Sequence, residues 1–205
     1  MILTSMDVIL SDRKADVQEC EVLVSGFFED ERPLRGTSGW LDWRLNGVLS
    51  RFLIQKRLIG TWKETILIPS QGRVSAPLIL LIGLGRVREY SYLRLRDLLP
   101  FVLDRLQKLS VSKVCFSLPE DEEHQVEPGK MAEVLMEEIA DAAGEPSSGK
   151  EGWAEELTLY FAGGEGCSAE ILLGLQTAQS ILQDRLDIQI LLAQNDPRKD
   201  LTFEK

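Results

Sequence analysis

Histidine and cysteine are scarce in this sequence, and their scarcity limits the chemistry it can support. His124 is the single histidine, and Cys20, Cys115 and Cys167 are three isolated cysteines. One histidine cannot build a two-histidine metal site, and no Cys-x-x-Cys pair supplies zinc ligands. A sparse, odd cysteine count also argues against a disulfide framework and for a reducing compartment. We therefore expect no metal site and a cytoplasmic location.

Catalytic motifs are missing as well. The sequence has no Gly-x-Ser-x-Gly nucleophile elbow. A Ser-His-Asp or Cys-His arrangement would have to use His124, which lies in the acidic stretch Asp-Glu-Glu-His-Gln. We assign no catalytic residue and no cofactor, and we predict that the chain is not an enzyme.

Long apolar segments are absent. The longest, Pro77 to Leu84, is far shorter than the ~20 residues that a membrane-spanning helix needs. The N-terminus has neither the basic region nor the apolar core of a secretory signal peptide. The sequence therefore predicts no contact with a membrane.

Positive charge is in deficit, with 23 basic residues against 33 acidic ones and a net charge of −10. The excess is concentrated at 119–156, which holds 13 acidic residues and two lysines, whereas 44–63 holds five basic residues and no acidic one. An acidic chain repels the phosphate backbone, so the balance argues against a nucleic-acid partner. The uneven distribution predicts a solvated acidic face and a small basic face on a local helix.

Hydrophobic patterning predicts alternating strands and helices. We place strands at 21–28, 64–69, 77–83, 114–118, 157–161 and 188–192, and helices at 38–56, 91–109, 130–143 and 168–183. Residues 8–10 are a candidate for one more strand. The continuous apolar runs at 64–69 and 77–83 favour central strands, and these two neighbours can pair antiparallel.

This alternation predicts an α/β fold, a three-layer α/β/α sandwich around a mixed, mostly parallel sheet. We expect a single domain at residues 1–193, followed by a polar C-terminal tail at 194–205.

Two glycine-containing turns are candidates for a ligand-binding site at the edge of the sheet. Gly83, Gly85 and Arg86 follow the most apolar strand, where glycine amides can form an anion-binding nest and an arginine can add charge. A tight turn explains the same residues. Residues 164–169 match Gly-x-Gly-x-x-Ala, but Glu165 would place a carboxylate against a phosphate, and a plain connection explains this turn equally. We take the first turn as the candidate ligand-binding site.

Tryptophans and basic residues are interleaved around the first predicted helix. The set comprises Trp40, Trp43, Arg44, Arg51, Lys56, Arg57 and Trp62. Such mixtures can stack nucleobases. Packing in the core or at a subunit interface is the alternative, because large aromatic side chains dominate both.

One ordered series of segments is distinctive, and it runs through 21–28, 40–49, 63–69, 80–85, 92–96 and 114–119. Its most specific parts are Leu-Leu-Ile-Gly-Leu-Gly at 80–85 and Tyr-Leu-Arg-Leu-Arg at 92–96. Over roughly residues 15–183 this series resembles the N-terminal domain of the cytosol (leucyl) aminopeptidase family. The resemblance implies a macro-domain-like fold.

The resemblance also implies that this domain is not the catalytic part. The family's chemistry belongs to a larger C-terminal domain with two metals, and its Asn-Thr-Asp-Ala-Glu-Gly-Arg stretch has no counterpart in this sequence. No catalytic or metal-binding residue is therefore carried over. In the family the N-terminal domain contributes to hexamer assembly and, in some bacterial members, to DNA binding.

Two functions remain open. The first is an interaction module that stands alone and forms a homo-oligomer or binds a protein partner. The second is a macro-type domain that binds ADP-ribose or a related nucleotide beside the glycine turns at 83–85 and 163–166. The second rests on analogy of fold, and the Asn-Ala-Ala-Asn and triple-glycine stretches of active macro domains are missing.

Overall fold

A seven-stranded sheet organises the chain. The computed structural model describes residues 4–119, 126–144, 152–162 and 168–193. The strands are β1 (Thr4–Ser11), β2 (Val22–Phe27), β3 (Thr65–Pro69), β4 (Leu78–Gly83), β5 (Lys113–Ser117), β6 (Thr158–Ala162) and β7 (Leu186–Ala193). They lie in the order β3-β4-β2-β5-β6-β1-β7. Among the described strand pairs only β3–β4 is antiparallel, which confirms the predicted mixed, mostly parallel sheet.

Six α-helices connect these strands. They are α1 (Gly36–Arg44), α2 (Val48–Ile54), α3 (Tyr92–Leu109), α4 (Pro128–Gly144), α5 (Trp153–Glu156) and α6 (Ser168–Leu182) within the described ranges. Two short 3-10 helices lie at Ala15–Val17 and Val87–Glu89. In this part of the chain no helix is both long and apolar enough to cross a bilayer.

Helices cover both faces of the sheet, which confirms the three-layer sandwich. Buried residues of α3, α4 and α6, such as Leu98, Leu135 and Leu175, form one hydrophobic cluster with the first face. Leu41 of α1 and Leu49 of α2 form a second cluster with the opposite face. A mostly parallel sheet requires this arrangement, because its crossover helices bury both faces of the central strands.

The strand β2 lies near the middle of the sheet and is buried along its whole length. Leu23 pairs with Ile79 of β4 on one side and with Cys115 of β5 on the other. Burial of a side chain such as Leu23 stabilises the fold by roughly 1.5–3 kcal/mol. The apolar run at 21–28 therefore predicts this strand correctly.

The first strand is longer than the hydrophobic pattern predicts. Only 8–10 are a candidate there, whereas β1 pairs with both β6 and β7 over Thr4–Ser11. Its residues alternate, with Met6 and Val8 buried and Ser5 and Asp7 exposed. One face of this strand is open to solvent, so an apolar run cannot reveal it and only the period of two does.

Two further expectations are wrong in detail. The run at 64–69 is not a central strand, because β3 lies at the sheet edge and Leu67 is 40% exposed. The helix expected at 38–56 is two helices, since Asn46 (φ 55°) and Gly47 (φ 72°) adopt left-handed backbone conformations between α1 and α2. Left-handed residues end a helix because they turn the following backbone away from the helical path.

The helices α4 and α6 approach each other at backbone distance. A Cβ atom on Gly174 of α6 would lie 2.0 Å from the carbonyl oxygen of Gly129 in α4. A Cβ atom on Gly129 would in turn lie 2.5 Å from the carbonyl oxygen of Glu170. This crossing therefore tolerates no side chain at either glycine.

We predict that Gly174→Ala destabilises the domain by about 1–3 kcal/mol, because the helices must separate to admit one methyl group. Gly144→Ala is the matched control, since a Cβ atom at Gly144 would meet nothing within 4 Å. Urea unfolding followed by circular dichroism measures both variants. Equal stability of the two variants would contradict the close helix crossing.

Candidate functional site

The turn at Gly83, Gly85 and Arg86 lies at the carboxyl edge of the sheet. The strands β2 and β4 end side by side, because Phe27 pairs with Gly83 in parallel register. Gly85 has a left-handed backbone (φ 72°), and the Arg86 side chain is exposed. In open α/β sheets ligands commonly bind at this edge.

The backbone amides of this turn are already paired. The amide of Gly83 donates to the carbonyl of Glu64 (2.7 Å), that of Leu84 to Phe27 (2.9 Å) and that of Gly85 to Gly60 (2.9 Å). A Cβ atom on Gly83 would lie 2.1 Å from the carbonyl oxygen of Thr61. The glycines thus let two chain segments approach closely, and the Arg86 side chain is the group of the predicted site that faces solvent.

A cluster of convergent amides lies beside that turn, between α2 and β3. The amides of Ile59, Gly60 and Thr61 all donate to Oε2 of Glu64, at 3.1, 2.6 and 3.2 Å. Successive amides that converge in this way form an anion-binding nest. Here the chain's own carboxylate fills the nest. This nest is not among the predicted sites, although a glycine followed four residues later by glutamate is its signal in the sequence.

Trp62 lies against the same turn, and its ring contacts two cationic side chains. The guanidinium carbon of Arg94 is 4.6 Å from the Trp62 ring centroid, and Nζ of Lys63 is 5.8 Å from it. Lys63 also bonds to Asp97 at 2.9 Å, and this hydrogen bond lowers the pKa of the Asp97 carboxyl. Arg94 pairs with Glu89 at 2.9 Å. These contacts fix Trp62 at the margin of the predicted site.

A second candidate site lies on α1. Trp40 and Trp43 are 55% and 66% exposed, so the core does not hold them. Their rings meet edge to face, with centroids 6.1 Å apart and planes at 89°. Nζ of Lys14 lies 5.2 Å from the Trp40 ring, and the guanidinium carbon of Arg44 lies 5.3 Å from the Trp43 ring. We call these four residues the tryptophan surface.

A buried carboxylate holds the tryptophan surface in place. Nε of Arg44 bonds to Oδ2 of Asp16 at 2.9 Å, and Asp16 is buried in the short helix Ala15–Val17. Charge-assisted hydrogen bonds of this kind are directional. The arginine therefore stays over the Trp43 ring while that ring remains accessible.

Other predicted features fall on residues that the structure does not describe. His124 and residues 163–167 lie outside the described residues. Across the described ranges, no cluster of three histidine, cysteine, aspartate or glutamate side chains could hold a metal ion.

The fold places the chain in the macrodomain-like class of α/β proteins. A variant of the Oceanobacillus iheyensis macrodomain superposes with a TM-score of 0.61 at 11% identity, over 86% of this chain and 92% of that one. Another structure of that macrodomain contains ADP. A variant of tomato leucine aminopeptidase superposes with a TM-score of 0.62 at 15% identity, over 89% of this chain and 38% of that one.

The sequence identifies the family within that class. The N-terminal domain of the cytosol aminopeptidase family matches residues 24–144, and the chain therefore belongs to this family. A probable cytosol aminopeptidase from Sulfurihydrogenibium sp. is 22% identical over 109 residues, which are 53% of this chain and 22% of that protein. The chain thus aligns with about a fifth of that relative's length, and the family's catalytic domain is not matched.

We predict that Glu64→Ala destabilises the domain by about 1–3 kcal/mol, because three amides lose a charged acceptor. Glu155→Ala removes an exposed carboxylate from α5 and serves as the control. Urea unfolding midpoints compare the two variants with the natural chain. A loss no larger than that of the control would show that the nest does not need the carboxylate.

Proposed function

We propose that this domain is a non-catalytic interaction module, and that it associates with a second copy of itself through the tryptophan surface. The observation that carries the proposal is the exposure of Trp40 and Trp43 side by side on α1. Exposed aromatic clusters on a soluble protein mark interaction sites. Tryptophan and arginine are also the residues that most often dominate the binding energy of protein interfaces.

The geometry of the surface supports binding at low entropic cost. Arg44 is anchored by Asp16, and the two tryptophans restrain each other through their edge-to-face contact. Side chains that are ordered before association lose less conformational freedom when the partner arrives. A preorganised aromatic pair is therefore suited to a stable contact.

A second copy carries the same aromatic pair and is therefore the partner that we choose. In a two-fold contact one surface patch meets the same patch of the other copy. Residues that dominate binding energy tend to pair with their like across an interface. Trp40 and Trp43 of one copy would then contact Trp40 and Trp43 of the other.

Membership of the aminopeptidase family supports a role other than catalysis, because the matched domain is the N-terminal one. A cytoplasmic location forms part of the same proposal, as the family name and the sparse cysteines agree with it. A full-length cytosol aminopeptidase is the protein partner to test beside the second copy.

We expect the natural chain, of 23.1 kDa per copy, to elute as a discrete oligomer and the Trp40→Ala/Trp43→Ala double variant to elute as a monomer. Size-exclusion chromatography with light scattering measures both masses. Leu93→Ala is the control, because Leu93 is 80% exposed on α3 in the opposite layer. The proposal fails if the natural chain is monomeric, or if the folded double variant keeps its assembly.

A second candidate function is nucleotide binding, which the macrodomain-like fold favours. The related macrodomain is recorded with ADP, and Gly83, Gly85 and Arg86 lie at the carboxyl edge of this chain's sheet. The exposed Arg86 guanidinium would contact a phosphate, whereas the turn amides of Gly83 and Gly85 are occupied. ADP-ribose or a related nucleotide is the ligand to test.

Thermal unfolding with and without millimolar ADP-ribose decides this alternative. If the domain binds, the midpoint rises saturably, since a ligand at 100 times its Kd adds ~2.7 kcal/mol to stability. Arg86→Ala should abolish the shift. Arg73→Ala should preserve it, because Arg73 is exposed in the β3–β4 hairpin at the other end of β4. An unchanged midpoint for the natural chain would exclude the nucleotide function.

A further inference from the structure

The strand β7 forms one edge of the sheet. In the described part of the chain its only strand neighbour is β1, with which it pairs in parallel over its whole length. Among those residues, no strand faces the backbone amides and carbonyls on the outer side of β7. Such a row of donors and acceptors is a template for pairing with a strand of another chain.

The sequence of β7 lacks the features that usually protect an edge strand. Natural edge strands are kept short or carry lysine, proline or a bulge. The other edge strand, β3, follows this rule, because it has five residues and ends in Pro69. By contrast, β7 has eight residues, Leu-Asp-Ile-Gln-Ile-Leu-Leu-Ala, with no lysine, arginine or proline. Of the two edges, β7 is therefore the one open to pairing.

Apolar side chains are exposed beside this edge. Leu191 and Leu192 are 48% and 64% exposed, and as neighbours in a strand they point to opposite faces of the sheet. Leu173 and Ile181 are exposed on α6, the helix that packs against β7. The sequences of α6 and β7 each contain a single charged residue. Exposed apolar surface with little charge is typical of the core of a protein interface.

The length and charge of the strand favour a second copy of β7 as its partner. A two-fold axis at Ile190 runs the two strands antiparallel and sets Ile188 opposite Leu192 of the other copy. The same axis sets Asp187 opposite Ala193, so the one charge of the strand does not meet its counterpart. Pairing of β7 with β3 of another copy is less favourable, because β3 is shorter and its final proline has no amide hydrogen.

We propose that β7 pairs antiparallel with β7 of a second copy, and that this contact joins the pairs formed through the tryptophan surface into a larger closed assembly. This inference rests on the proposed function, since a contact between two strands is weak by itself. Two copies that are already joined present two β7 strands, and simultaneous binding of both strengthens the association. Two different two-fold contacts on one chain build an assembly of more than two copies.

Size-exclusion chromatography with light scattering distinguishes the two contacts. We expect the natural chain to have the mass of more than two copies and Leu192→Lys to have the mass of two, because a lysine on the edge blocks the added strand and leaves the tryptophan surface intact. Leu93→Lys makes the same change on α3 and should keep the natural mass. A natural chain with the mass of two copies, or a Leu192→Lys variant with the natural mass, would overturn the pairing of β7. Assembly retained by the Trp40→Ala/Trp43→Ala variant would instead contradict the proposed function.

An engineered disulfide reports on the strand pairing itself. Residues that face each other in an antiparallel pair have Cα atoms ~4.5–5.5 Å apart, which is within the range of a disulfide. Ile190→Cys should therefore give a covalent dimer on mild oxidation, seen by non-reducing electrophoresis and reversed by dithiothreitol. Leu93→Cys is the control and should remain a single chain. A folded Ile190→Cys variant that forms no covalent dimer, or one that cross-links no more than Leu93→Cys, would also overturn the inference.

Discussion

Burial of β2 on both faces dictates which elements must surround it. A strand with six buried residues needs hydrogen-bonded neighbours on each side and apolar helices above and below. The strands β4 and β5 supply the former in parallel register, and the two helical layers supply the latter. Because these strands run in one direction, their carboxyl ends share one edge of the sheet.

Beside β4, the hydrogen-bonding groups of that edge are largely paired with other groups of the chain. The amides after β4 pair with neighbouring carbonyls, and Glu64 fills the adjacent nest. Stability and ligand affinity compete here, because an amide that closes a turn cannot also bind a phosphate. Exposed aromatic side chains lie on α1 instead, where Trp40 and Trp43 face solvent and an anchored arginine contacts the Trp43 ring.

Several elements follow from local pattern alone. The apolar run that becomes β4 is visible in the sequence, and so is the helical stripe of α3, in which Leu95, Leu98 and Val102 are buried. Elements with one solvated face are harder to recognise. The alternation of buried and exposed residues in β1 is weak evidence for a strand until a helix layer is known to cover one side. The end of α1 depends on left-handed conformations at Asn46 and Gly47.

The α/β class, the family and the position of the turn at Gly85 could all be recognised in the sequence. The edge position of β3 and the exposure of Trp40 and Trp43 became visible only once the strands and helices were assembled. This division follows from the distance along the chain over which the interactions act. Periodicity records how each segment divides between core and solvent, whereas contacts between distant segments depend on the order in which strands assemble.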